Sequence, residues 1–223
     1  MSTALDSATL ARMVEAMAAL QEAHNLEVAS DWRTRGLAYD RAIWVECAEL
    51  LDHFGWKWWK RQTPDLAQVE LELVDIWHFG LSMLIRDGGL QRPTDTAFAE
   101  RLLAMLPPQR RQPGDDAEAF RRAVEALAAA AVGEKRFDVD AFGAALAWLG
   151  VDAAGLHASY VGKNVLNGFR QRNGYKDGSY RKLWDGREDN EHLVELAASL
   201  DAAAPDFAER LAEALAARYA QSA

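Results

Sequence analysis

The sequence has little of what several special classes of protein require. Its 223 residues include one cysteine, Cys47, and six prolines. An internal disulfide and a cysteine zinc site are therefore excluded, and a reducing cytoplasm is the expected location. No run of 18 apolar residues is free of charge, which excludes a transmembrane helix, and the N-terminus carries acids where a signal peptide needs basic and apolar residues. The net charge of −9 argues against binding of a nucleic-acid polymer, which usually needs a basic face.

Half of the residues are apolar and 26% are charged, a mixture typical of globular chains. Alanine and leucine are abundant and alternating β-branched runs are missing, which predicts an all-α fold. We expect helices over about 7–24, 37–53 and 65–86, the third beginning after an N-cap at Asp65 and ending at Asp87-Gly88-Gly89. Further helices are predicted over about 94–106, 115–132, 138–150, 190–200 and 205–220.

The domain organisation is predicted from the distribution of these helices. We expect a single domain over 1–223, with core blocks 1–90 and 157–223 and a helical insert over about 91–156. From about 160 to 190 the composition becomes glycine-rich and basic, which favours a loop with ordered anchors in the later part of this segment.

Paired carboxylates lie on two of the predicted helices. Glu46 and Glu49 are three residues apart on the second helix, and Glu72 and Asp75 are three apart on the third, so each pair shares a helix face. Apolar neighbours predict partial burial, and four buried carboxylates would repel one another unless a cation neutralised them. Oxygen ligands at this density suit Mg²⁺, and Mn²⁺ fits the same ligands. Glu70 points away from this face and is expected in solvent.

Two other interpretations of these acids stay open. A single Glu-x-x-Glu on a helix is more often a solvated stripe, and the second pair reduces the weight of that alternative without removing it. A di-iron bundle needs Glu-x-x-His on two helices, whereas Asp75 and His78 form the only near match on the second and third predicted helices.

Amide, aromatic and basic side chains form three further candidate groups. Gln21 and Asn25 can read the acceptor–donor–acceptor edge of uracil, although a polar helix end is the commoner explanation of such a pair. The block WKWWK at 56–60 offers flat surfaces beside positive charge, and its alternative is a plug at the edge of the core. The late basic segment suits a mobile lid over a polyphosphate, with a solvated loop as the alternative. Its candidate side chains are Lys163, Asn164, Asn167, Arg170, Gln171, Tyr175, Lys176 and Lys182.

Three sequence blocks carry a recognisable family pattern. They are WVECAELLDHFGWKWWK, ELELVDIWHFGLS and YVGKNVLNGFRQRNGYKDGSYRKLWDGREDN. They resemble the dimeric all-α dUTPases, a branch of the MazG-like all-α nucleoside triphosphate pyrophosphatases, over roughly 20–87 and 157–192. The paired acids are shared across that superfamily, whereas the WKWWK and GYKDG blocks are specific to the dUTPase branch.

The resemblance implies a helical bundle of the all-α NTP pyrophosphatase type. It also implies Mg²⁺-dependent hydrolysis of dUTP, and of dUDP, to dUMP, with pyrophosphate released from dUTP. Such an enzyme removes dUTP from the nucleotide pool and supplies dUMP for dTMP synthesis. A homodimer is implied, with a nucleotide as substrate and neither a nucleic-acid polymer nor a membrane as partner. The alternatives are a related pyrophosphatase acting on dCTP or another non-standard NTP, and a non-catalytic helical metal-binding protein.

The resemblance assigns a role to each candidate side chain. The metal ligands are expected at Glu46, Glu49, Glu72 and Asp75, and Glu49 is the candidate catalytic residue, orienting or deprotonating the attacking water. The uracil and sugar contacts are expected at Gln21, Asn25, Trp59 and Phe79. The phosphate contacts are expected at Lys60, Lys163, Asn167, Arg170, Tyr175, Lys176, Lys182 and Asn190.

Overall fold

A computed structural model describes residues 7–202, 204 and 206–222. It is 69% helical with one small two-stranded sheet, which confirms the predicted all-α fold. The α-helices in these residues are α1 Ser7–Val28, α2 Tyr39–Phe54, α3 Leu66–Gly88, α4 Gln91–Thr94, α5 Thr96–Met105, α6 Ala117–Ala129, α7 Val139–Leu149, α8 Ala153–Arg172, α9 Asp189–Ala198 and α10 Phe207–Gln221. No single helix in this part of the chain has the length and apolarity needed to cross a membrane, and only α7 and α8, taken together as a bent pair, meet that test.

The chain divides into two compact units, one ending at His157 and the other beginning at Ala158. The single domain with an insert over about 91–156 stays a prediction. Within the first unit, helices of that insert pack against the preceding ones, α5 against α1 and α6 against α2. A π-helical turn, Ala130–Glu134, follows α6 directly. The insert therefore contributes to the core of the first unit.

α3 forms the centre of the first unit. It is buried on almost every side between Gln68 and Ile85, because its apolar residues surround the helix rather than forming one stripe. α2 packs along it, and α1, α4 and α7 also contact it. The Trp77 ring stacks on that of Phe142 with centroids 5.1 Å apart, so α7 is held to α3 by an aromatic contact inside the core.

The ends of α1 and α3 bear on the candidate site. The Asp65 side chain accepts a hydrogen bond from the backbone N–H of Gln68 at 3.2 Å, which confirms the predicted N-cap of α3. After Gly88 the chain turns through Gly89 at φ 68°, a conformation that costs glycine little. α1 continues to Val28, past its predicted end near residue 24, so both candidate amides lie on regular helix.

The second unit contains α8 from Ala158 onward, α9, α10 and a short hairpin of β1 Leu183–Trp184 and β2 Arg187–Glu188. The strands are antiparallel and pair Leu183 with Glu188 and Trp184 with Arg187. Strands of two residues are too short to show alternation in a sequence, so the hairpin was not predicted. Trp184 is fully buried and lies edge-on to Phe169 with ring centroids 6.0 Å apart, which makes it a centre of this unit's core.

Candidate active site

α2 and α3 bring together three of the four predicted carboxylates. The ligand oxygens of Glu46, Glu72 and Asp75 all lie within 4.8 Å of one another. Glu72 and Asp75 are one turn apart on α3 and therefore share a face, while Glu46 reaches them from α2. Glu72 is buried and the other two are half-buried. We call these three residues the acid cluster.

The acid cluster is electrostatically unfavourable by itself. The pKa of Glu46 is raised to about 9, first by burial and then by the negative charges of Asp75 and Glu72. Glu46 therefore carries a proton at neutral pH when no cation is present. A nearby positive charge would favour its ionised form, and carboxylate oxygens are the ligands that Mg²⁺ and Mn²⁺ prefer. The donor set thus fits a divalent cation.

Two further groups on α2 adjoin the acid cluster. Glu49 is exposed and is not one of the three acids within 4.8 Å, although its charge adds to the raised pKa of Glu46. His53, which sequence reasoning missed, has its Nε2 3.5 Å from Oε1 of Glu72. The available signal was its position seven residues after Glu46, because that spacing returns to the same helix face.

The prediction that Glu70 lies in solvent is wrong. Its side chain is only 12% exposed and pairs with Arg110 of the segment between α5 and α6, so it does not face open solvent. Nor is it one of the acids that approach one another closely. Glu70 is therefore a carboxylate on the same helix as Glu72 and Asp75 with an arginine partner of its own.

The raised pKa of Glu46 predicts how stability depends on pH. The pKa is 4.5 for the unperturbed group and about 9 in the fold. Over that window the folded state holds a proton that the unfolded state has lost, so the stability conferred by protonated Glu46 is lost as the pH rises. Denaturation in EDTA should show a free energy of unfolding that falls from about pH 5 to pH 9.

Glu46→Gln and added Mg²⁺ are the controls for that pH profile. Glutamine resembles the protonated carboxyl, so Glu46→Gln should flatten the decline. Mg²⁺ should oppose the decline, because metal ligands bind in their deprotonated form. A Glu46→Gln profile that parallels wild type in EDTA would show that Glu46 does not hold the proton.

The two candidate base-reading amides lie together and are buried. Gln21 Nε2 donates to Asn25 Oδ1 at 3.0 Å, and both amide nitrogens donate to Oγ of Ser82 on α3, at 3.1 and 2.9 Å. Phe79, one turn before Ser82, is half-buried, and its ring centroid lies 6.3 Å from that of Tyr39. The amides are therefore parts of a buried polar network and not of an exposed helix end.

The tryptophan block is on the surface of the first unit. Trp56, Trp58 and Trp59 are 47, 91 and 57% exposed, so their interpretation as a plug at the core edge is wrong. Trp59 packs edge-on against Trp56 and Trp58, with ring centroids 5.3 and 5.4 Å apart, and Lys60 is exposed beside it. Residues of the block line a cleft of about 770 Å³ with residues of α2 and α6.

The second unit holds a buried network of predicted phosphate contacts. Lys163 Nζ donates to Asn190 Oδ1 at 2.9 Å, and Arg170 donates to Asn190 and Asn167 at 3.2 Å. Arg170 also donates twice to the carboxylate of Asp189 at 2.8 Å, a fully buried acid that sequence reasoning missed. Burial alone would raise the pKa of Asp189, but the hydrogen bonds and charge of Arg170 hold it below its ordinary value.

The remaining predicted phosphate contacts of the second unit are exposed. Tyr175 and Lys176 lie on a turn whose flanking glycines have positive φ. Lys182 lies next to the hairpin, with its Nζ 3.4 Å from Oε2 of Glu188. These side chains lie outside the buried network, where an anionic ligand can approach them from solvent.

A known protein family matches most of the chain. Residues 10–175 match the family described as dUTPase, and this range contains the acid cluster, the amide pair and the tryptophan block. No curated protein shows a significant match to the chain. Because the family match covers more than half of the 223 residues, the chain belongs to the dUTPase family and is a dUTP diphosphatase.

Proposed function

We propose that the protein hydrolyses dUTP to dUMP and pyrophosphate in a Mg²⁺-dependent reaction and that it also accepts dUDP. The observation that carries the proposal is the acid cluster, in which carboxylates from two helices lie within 4.8 Å of one another. Three carboxylates at this distance can all be ionised only beside a cation, and a divalent cation is suited to phosphate oxygens. The reaction removes dUTP from the nucleotide pool and supplies dUMP for dTMP synthesis.

The four predicted carboxylates have different tasks in this proposal. Glu46, Glu72 and Asp75 hold the cation, with Glu49 as a further ligand. When bound, the divalent cation supplies positive charge to the phosphate oxygens and lowers the pKa of water at the site. The exposed carboxylate of Glu49 next to the cluster suits it to orient the attacking water and take its proton.

Base and sugar are recognised by different side chains. Gln21 and Asn25 read the hydrogen-bonding edge of uracil, and Trp59 supplies a flat surface for stacking. Phe79 packs against the deoxyribose. An aromatic ring offers no hydrogen-bond partner to a 2′-hydroxyl, so a ribonucleotide is disfavoured.

Basic and polar side chains bind the phosphate chain in this proposal. The late basic segment orders as a lid when a polyphosphate is present. The residues assigned to phosphate are Lys60, Lys163, Asn167, Arg170, Tyr175, Lys176, Lys182 and Asn190. We also propose that the protein acts in the cytoplasm as a homodimer, and its one cysteine, free and buried, suits a reducing compartment.

The experiment that tests this function is pyrophosphate release from a panel of dNTPs and NTPs, with Mg²⁺ and with EDTA. We expect dUTP to be turned over fastest, and EDTA to abolish turnover. Preference for dCTP or another nucleotide would favour a related pyrophosphatase, and no turnover of any nucleotide would favour a non-catalytic metal-binding protein. Mass spectrometry of the products identifies dUMP.

Lys176→Ala is expected to weaken binding of the triphosphate and leave binding of deoxyuridine almost unchanged. A lost charge-assisted contact to phosphate should raise KM for dUTP about tenfold or more. Lys135→Ala is the matched control, since Lys135 is also an exposed lysine, pairs with Asp40 in the first unit and has no assigned role in the reaction. Equal KM values in the two variants would contradict the role of Lys176.

A further inference from the structure

Ser82 joins the two amides of the base-reading pair. Its Oγ lies 3.1 Å from Gln21 Nε2 and 2.9 Å from Asn25 Nδ2, and 3.0 Å from the backbone oxygen of His78. Ser82 is fully buried, and the two amides are at most 4% exposed. Bulk water therefore does not compete for these hydrogen bonds, and each polar atom depends on its neighbours in the fold.

The Ser82 hydroxyl donates its hydrogen bond to the backbone carbonyl oxygen of His78. A backbone carbonyl can only accept, and serines within helices commonly donate to the carbonyl four residues earlier. The oxygen of Ser82 is then the acceptor for the two amide contacts, so the groups that face it from Gln21 and Asn25 are their NH₂ groups. Ser82 thereby fixes which end of each amide points toward α3. The Tyr39 side chain also interacts with the Ser82 hydroxyl.

We infer that Ser82 is a positioning residue for base specificity, an inference that rests on the proposed function of this site. The two hydrogens of Gln21 Nε2 are directed at Asn25 and Ser82. Asn25 Nδ2 gives one hydrogen to Ser82 and carries a second. Asn25 thus presents a donor, which complements the O4 carbonyl oxygen of uracil.

Cytosine presents the opposite pattern at the same edge, because its N3 accepts and its N4 carries hydrogens. Its N4 hydrogens would meet the second hydrogen of Asn25 Nδ2, donor against donor. Rotating the amides would remove that conflict, but it would turn their oxygens toward Ser82, whose proton is already held by His78. Buried polar atoms would then be left unpaired, which is costly. Ser82 therefore opposes the rotation that cytosine requires.

The test measures kcat/KM for dUTP and dCTP, and Kd for dUMP and dCMP without metal, in wild type and Ser82→Ala. Without the serine oxygen the amides are no longer oriented. The dUTP-over-dCTP ratio of kcat/KM should therefore fall about tenfold or more, chiefly through a higher KM for dUTP. The dUMP-over-dCMP ratio of affinities should fall in parallel.

Two further variants distinguish the loss of amide orientation from a loss of packing around α3. Ile85→Val loosens another fully buried position of α3 and should keep both ratios at their wild-type values. Ser82→Cys keeps an atom of similar size in the buried position with a weaker acceptor, so it should lower both ratios less than alanine does. It also tests the inference if Ser82→Ala does not fold.

Three outcomes would overturn the inference. Unchanged ratios in the Ser82 variants, together with a lower ratio in Asn25→Ala, would remove the role of Ser82 and leave the proposed function standing. An equal fall in Ile85→Val would mean that Ser82 acts only through packing. Equal use of dUTP and dCTP by the wild type would overturn the proposed function, and the inference with it.

Discussion

Asp75→Asn is expected to lower the rate of dUTP hydrolysis by about 10³-fold or more while the helical fold is kept. Asparagine has the size of aspartate but no negative charge, so the acid cluster would lose a ligand for the cation. A metal ion contributes several kcal/mol of charge stabilisation in phosphate chemistry, and each 1.4 kcal/mol is tenfold in rate. Pyrophosphate release at saturating Mg²⁺, with circular dichroism as the check on folding, measures the effect.

The same substitution should act on stability in the opposite direction. Asp75 is one of the charges that raise the pKa of Glu46, and removing like charges at close range relieves repulsion. The Tm of Asp75→Asn in EDTA should therefore be above that of wild type. Stability and activity thus change in opposite directions, as expected for a cluster that is kept for function at a cost in stability.

Glu70→Gln is the matched control for Asp75→Asn. Glu70 lies on the same helix and is also largely buried, but it pairs with Arg110 and has no assigned role in the reaction. Glu70→Gln should keep hydrolysis near the wild-type rate, and its Tm in EDTA should not rise. Near wild-type turnover by Asp75→Asn at saturating Mg²⁺ would remove the metal assignment.

Spacing along one helix predicted which acids of α3 lie close together. Residues three apart share a face whatever the helix packs against, so the sequence alone could pair Glu72 with Asp75. Which residues of α2 meet them depends on how α2 is rotated against α3, and that rotation is set by side-chain packing. The sequence could therefore propose Glu46 and Glu49 together, whereas the fold brings only Glu46 into the acid cluster and adds His53 at its edge.

The groups that sequence reasoning missed are partners across long separations. Ser82 is 57 residues from Asn25, and Asp189 is 19 residues from Arg170. A serine inside an apolar helix and an aspartate after a loop carry no spacing signal that links them to these partners. The plug interpretation of the tryptophan block was wrong for a different reason. Large apolar side chains are expected inside a protein, whereas the fold leaves Trp58 91% exposed.

Arg170→Ala is expected to destabilise the second unit by about 3–5 kcal/mol, since removing one partner of a buried ion pair leaves the other charge uncompensated. The resemblance assigned Arg170 to phosphate, but its side chain is only 12% exposed and its guanidinium pairs with Asp189, which is fully buried. Urea denaturation followed by tryptophan fluorescence measures the loss. Arg172→Ala, which removes an exposed arginine from the end of the same helix, is the matched control and should cost little stability.

The pH dependence of stability shows whether the cost of Arg170→Ala comes from Asp189. In wild type the pKa of Asp189 is lowered from its ordinary 3.8, so its contribution to stability is present above about pH 4 and is lost as the pH falls through the lower folded pKa. Without Arg170, burial is opposed mainly by Tyr180 and Lys163, so the folded pKa of Asp189 rises. The variant should therefore lose less stability than wild type on acidification, and Asp189→Asn in the Arg170→Ala background should recover part of the loss at neutral pH. Parallel acid profiles, or a cost no larger than that of Arg172→Ala, would mean that Arg170 is not needed to hold the buried acid and would return it to a role in binding phosphate alone.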